Sequence, residues 1–206
     1  IVIPLAAAFL VPLTSIFSRS FARWIPLFGL MGMAVVMAFN FSKLYDGAIT
    51  STTGGFDPPW GISLVMTPLG GLLATGMIGI GLFVLISSIG EGERPYHGVY
   101  NTMVMMATAG AVGMVITGDL FNMFVFLEIT SISGVVLAAI PRDGHDKGLN
   151  WRGAAIYAVI GGVASFMVLA AIGLLYGSTS TLNIAQIADR IQGVDSFVLG
   201  AAFLAI

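Results

Sequence analysis

Long apolar runs separated by short polar breaks make up almost the whole chain. The runs are Ile1–Phe17, Trp24–Phe41, Ile62–Ser87, Val99–Thr117, Leu120–Ile140 and Gly153–Tyr176, and a seventh opens at Phe197–Ile206. Most have the length, roughly 17–25 residues, that a helix needs to cross a hydrocarbon core of ~30 Å. They are continuous, whereas a transmembrane barrel strand alternates over about 10 residues. The pattern predicts an all-α, polytopic transmembrane helix bundle of six spans plus the start of a seventh. Glu128 is the only charged residue inside any run.

The breaks carry their own signals. Ser42–Gly61 is long and rich in Thr, Gly and Pro, and Pro58-Pro59 stiffens the approach to the third span. Pro68 lies inside that third run, which predicts a kink there. Gly177–Ser196 contains NIAQIADRI, whose apolar spacing predicts a short amphipathic helix at the membrane surface. Small residues are dense at Ala107, Ala109, Ala111 and Gly113 and again at Gly161 and Gly162, as close helix packing requires.

Composition agrees with a membrane protein. The 206 residues are 57% hydrophobic and 9% charged, with mean hydropathy +0.99; a soluble domain carries about 25% charged residues. The net charge of −2 comes with no basic patch, so nucleic acid is excluded as a partner and the lipid bilayer takes its place. The absence of cysteine excludes disulfides and thiolate metal sites within this stretch. The chain starts at Ile1 and stops at Ile206 within apolar runs, so it is expected to be part of a longer polypeptide. Ile1–Phe17 has neither the basic start nor the small-residue cleavage site of a signal peptide.

Lys and Arg set the expected orientation. Arg19, Arg23, Arg94, Arg142, Lys147 and Arg152 follow the first, third and fifth spans, against Lys43 and Arg190 after the second, fourth and sixth. This predicts a multi-pass protein of the cell membrane with its N-terminus outside. Trp24, Trp60 and Trp151 fall at span ends, where indole rings anchor.

Candidate chemistry centres on Glu128. It stands about 12 Å of helix from Leu120 and about 18 Å from Ile140, near the membrane midplane. A carboxylate there costs about 2.5–3.5 kcal/mol on insertion scales. Its helical face carries Phe121, Phe124, Val125, Ser131, Ile132 and Val135, with no cation. At similar depth other spans supply only Thr75, Thr108 and Ser165. Two readings stand: a protonated structural carboxyl bonded to Ser or Thr, or a titratable carboxylate on an ion path, with Ser131, Thr108 and Ser165 as candidate path residues. Asp119 has the position of an N-cap that accepts from the amide of Phe121 or Asn122; an outer proton or cation site is the alternative. His97 and His145 fall in inner loops and are expected to be solvated. The eleven Met are spread as gap-filling residues, with no spacing for copper or haem. No P-loop, G-x-G-x-x-G, G-x-S-x-G or HExxH pattern occurs. No cofactor, metal site or redox chemistry is expected in this chain.

The run GDLFNMFVFLEITSISG resembles the fifth transmembrane helix of the antiporter-like family. That family comprises the D and A subunits of Mrp-type Na⁺/H⁺ antiporters, the proton-pumping membrane subunits of complex I, and those of membrane-bound hydrogenases and sulfur reductases. LLYGSTSTLNIAQIA is similar to the end of the family's sixth helix, and DPPWGI to the approach to its third. VFLEITS looks closer to the Mrp and hydrogenase branches. The resemblance implies that residues 1–98 hold helices one to three and residues 99–206 the first part of the first antiporter-like repeat. It implies an inverted second repeat elsewhere. It also implies that Glu128 pairs with a lysine of a broken seventh helix in a proton relay; that lysine has no counterpart up to Ile206. The expected function is H⁺ translocation, alone or coupled to Na⁺, within a multisubunit membrane complex. A secondary carrier for a small solute and a non-conducting structural subunit are the competing classes.

Overall fold

The computed structural model describes residues 1–53, 55–56, 61–89, 96–141 and 149–205. Helices dominate: α1 (Val2–Phe17), α2 (Arg19–Ala22), α3 (Ile25–Phe41), α4 (Pro68–Ile89), α5 (His97–Ile116), α6 (Leu120–Ala139), α7 (Trp151–Thr179), α8 (Ile184–Arg190) and α9 (Ser196–Ala205). Among the described residues, a helix from Ile25 to Tyr45 and the helices α4, α5, α6 and α7 are long and apolar enough to cross a membrane. The apolar α1 is shorter, at 16 residues.

The third apolar run is not one helix. Ile62–Met66 forms strand β2, paired antiparallel with β1 (Ile49–Thr53) from Ile49–Met66 to Thr53–Ile62. β-branched residues dominate β1, and Leu64 and Val65 sit in β2, a composition that suits a pleated, half-buried ribbon. The polar break therefore contains a hairpin and, at Ser42–Tyr45, a 3₁₀ turn. Pro68 opens α4 instead of kinking it. Its fixed φ suits a first helical position, and its missing N–H costs nothing there. The Thr67 hydroxyl accepts from the Gly70 amide at 3.0 Å and caps the helix.

α5 is the hub. Nearly half of its span is buried, against about a tenth of α6. Leu30 of α3, Leu85 of α4 and Met105 and Val112 of α5 form the fully enclosed centre. α1 and α3 meet α5 at Gly29, where a Cβ would lie 2.7 Å from the Met105 sulfur and 3.0 Å from the Ala7 Cβ. α6 packs between α5 and α7, and α9 lies on α7 through Ala171, Leu175 and Ala202.

Several expectations about ends of spans can be placed. Trp24 precedes α3 and Trp151 opens α7, both exposed. Trp60, Pro58, Pro59, Arg94, Arg142, His145 and Lys147 lie outside the described residues. His97 is not in a solvated loop: it is the first residue of α5 and half-buried. Arg190 does not simply face water, since it donates to the Thr179 carbonyl at 2.7 Å, placing a cation at the C-terminus of α7. The amphipathic stretch after α7 is helical as α8.

Candidate functional site

Glu128 stands near the middle of α6, eight residues after its first residue and eleven before its last. The side chain is half-buried. Its Oε1 is buried and takes no hydrogen bond among the described residues. Two nearby hydroxyls are committed elsewhere: Thr130 donates to the Phe126 carbonyl at 2.9 Å and Ser133 to the Ile129 carbonyl at 2.7 Å. A buried polar atom without a partner loses its hydration and gains nothing in return, so this oxygen stands out among the described residues of α6.

The two flanks of α6 differ. Towards α5, Phe126 is buried against Gly113, whose missing Cβ leaves room for the ring. Gly110 of α5 lies against the Thr130 hydroxyl and the Phe126 carbonyl. Thr108 is on the other side of α5. It faces Gly81 of α4, and its hydroxyl donates to the Val104 carbonyl at 2.9 Å. Thr75 likewise donates within its own helix, to Gly71 at 2.7 Å. Neither threonine is brought to Glu128.

Towards α7 the surface is polar. The Ser131 Oγ stands 3.3 Å from the position a Cβ would take at Gly161, and the Tyr157 hydroxyl 2.9 Å from that of Gly134. These two contacts fix an antiparallel register. Continued by one turn, it sets Ser165 of α7 at the level of Glu128, and Ser165 is buried. Of the candidate path residues, Ser131 meets α7 at Gly161, and the same register carries the buried Ser165 to the depth of Glu128. Tyr157 was not singled out from the sequence. It stands four and eight residues before Gly161 and Ser165, so a shared helix face was readable; which helix that face meets was not.

Asp119 caps α6. Its Oδ1 accepts from the Asn122 amide at 2.8 Å. It belongs to a buried polar knot at the hairpin end of the bundle. The Gly118 amide donates to the Ser63 carbonyl at 2.8 Å, the Leu120 amide to Leu182 at 2.9 Å, and the Ile184 amide to Gly118 at 3.0 Å. Asn122 donates its side-chain amide to Thr117 at 2.9 Å. Gly118 has no space for a side chain, since a Cβ would lie 2.8 Å from Val65 and 2.9 Å from the Ser63 hydroxyl. These bonds satisfy the groups that helix ends leave open, and they hold together β2, the end of α5 and the starts of α6 and α8.

Residues 117–206 match the family model described as "NADH:quinone oxidoreductase/Mrp antiporter, TM". NADH-quinone oxidoreductase subunit N of Desulforudis audaxviator is 34% identical over 195 residues, covering 91% of this chain and 38% of that protein. The D subunit of the Na⁺/H⁺ antiporter of Bacillus subtilis is 32% identical over 196 residues, covering 93% of this chain and 38% of its own length. A chain of the membrane-bound sulfane sulfur reductase, an archaeal respiratory membrane complex, matches with a TM-score of 0.84 at 28% identity, over 100% of this chain and 42% of that one. The chain thus spans about two fifths of the length of the curated relatives it matches.

Proposed function

We propose that this chain is a member of the antiporter-like membrane-subunit family and that it translocates H⁺, alone or coupled to Na⁺, inside a multisubunit complex of the cell membrane. The observation that carries the reading is the buried, unpartnered Oε1 of Glu128 in the middle of a membrane helix. Ionisable groups at that depth are costly unless they serve a path. A cation that approaches and withdraws would make such a carboxyl release and rebind a proton, a population shift driven by local electrostatics. The resemblance points to a lysine of the seventh span as that cation, and the reading expects it within about two turns past Ile206.

The same reading has six spans, with α1 as the first and α9 as the start of the seventh, and the N-terminus outside. Residues 1–98 supply the first three helices, and residues 99–206 the first part of one repeat. The relatives' names motivate the ion, since the Bacillus subtilis relative is named as part of a Na⁺/H⁺ antiporter.

The test is proton or Na⁺ uptake by vesicles that hold the assembled, full-length complex. Glu128→Gln keeps size and hydrogen bonding, so the complex should assemble while uptake is lost. Uptake at the wild-type rate in the assembled variant would leave Glu128 a structural residue.

A further inference from the structure

The α6–α7 seam is polar in one direction from Glu128 and aromatic in the other. Towards the N-terminus of α6, the residues on the face of Glu128 are Phe124 and Phe121, whose rings lie 6.2 Å apart. Towards the C-terminus come Ser131, close to Gly161, and Gly134, close to the Tyr157 hydroxyl. Ser165 is 7% exposed, and the register set by the Gly161 and Gly134 contacts carries it to about the level of Glu128. Glu128, Ser131 and Gly134 are three residues apart, so each step rises about 4.5 Å along the seam. A hydroxyl accompanies every step: Ser165, Ser131, then Tyr157. Hydroxyls that stand too far apart for a direct bond can be bridged by single waters. On the α5 flank no such line exists among the described residues, because Phe126 and Gly113 pack ring against backbone and Thr130 bonds its own helix.

We propose that Tyr157 is a proton-relay residue, the mouth of a one-sided path through Ser131 and Ser165 that serves Glu128 from the C-terminal end of α6. The inference rests on the reading of Glu128 as a titrating carboxyl. Tyr157 is placed for the role. It sits in the second turn of α7, half-exposed, with its phenol oxygen held in the seam by the missing side chain of Gly134. In each transfer a proton arrives at the phenol oxygen while the phenol's own proton leaves to the bridging water. The hydroxyl then turns back, and the tyrosine ends neutral as it began. Phe121 and Phe124 supply no oxygen on the opposite side, so the path opens one way only.

The experiment follows proton movement with a pH-sensitive dye in everted vesicles that hold the assembled full-length complex, with rates normalised to assembled complex. Tyr157→Phe keeps the ring and its packing and removes only the hydroxyl. It should slow proton movement by roughly tenfold or more, the scale of one lost hydrogen-bonding partner in a water-poor path. Gly134→Ala keeps the hydroxyl but pushes it from the seam, and should slow transport similarly. The double variant should be no slower than the slower single variant, because both act on one oxygen. Wild-type rates in Tyr157→Phe, with transport lost in Glu128→Gln, would overturn the path alone. Wild-type rates in Glu128→Gln would overturn the titrating carboxyl, and the path with it.

Discussion

The side-chain amide of Asn183 donates to the Ser63 hydroxyl at 2.8 Å, joining a helix cap and a strand that are 120 residues apart in the chain. Both residues are buried. The same Asn183 accepts from the amides of Ala185 and Gln186 at 3.1 and 3.2 Å, so one side chain caps α8 and anchors the hairpin. Asn183→Ala should lose the cap, at about 1 kcal/mol, and leave the buried Ser63 hydroxyl without its donor, at about 1–3 kcal/mol. Asn183→Asp keeps the cap and loses only the donation, so it should cost less. Thermal unfolding of the purified full-length protein in detergent separates the two. Equal melting temperatures for Ala and wild type would show that the knot contributes nothing.

Asp119 makes a sharper division between structure and transport. Its observed bond is an N-cap to Asn122. Asp119→Asn and Asp119→Ser retain a capping oxygen and should keep transport close to wild type. Asp119→Ala should lower stability by about 1 kcal/mol with transport per folded complex unchanged. A transport loss in Asp119→Asn as deep as that expected for Glu128→Gln would mean that the negative charge itself is used.

The α5–α6 contact depends on missing side chains. A Cβ at Gly110 would meet the Phe126 carbonyl oxygen at 2.8 Å and the Thr130 amide nitrogen at 3.1 Å, backbone atoms that cannot swing away. Gly110→Ala should destabilise by about 1–3 kcal/mol, as overpacking does. Gly76 of α4 has nothing within 4 Å of its Cβ position, and Gly76→Ala should be neutral or gain up to about 1 kcal/mol of helix propensity. Melting temperatures that fall equally for both would refute the packing account.

Orientation can be read with single cysteines, because the sequence contains none of its own. Thr52→Cys and Ser178→Cys should react with an impermeant thiol reagent added outside sealed cells, and Arg19→Cys, Arg94→Cys and Lys147→Cys should not. Labelling of Lys147→Cys from outside would invert the topology.

Much of this molecule was legible in the order of its residues. A run of some twenty apolar residues can satisfy its backbone in lipid only as a helix, so the long helices followed from length and composition. The lone carboxylate at Glu128 and the cap at Asp119 were readable for the same reason. Each is a local pattern whose physics reaches no further than a few turns. The hairpin was not legible. ISLVM is as apolar as a membrane helix, and only its pairing with ITSTT and the proline at Pro68 makes it a strand followed by a helix start.

Tertiary structure alone decided which faces meet. Spans that are apolar on nearly every side carry no periodic mark that says which neighbour they touch. The sequence could place Thr108 and Ser165 at similar depth, but packing turned Thr108 towards Gly81 and buried Ser165 within the bundle. Tyr157 came into the seam because Gly134 leaves a space that matches its hydroxyl. Periodicity along one helix determines which residues share a face. The fit of side chains and glycines between helices determines what that face meets.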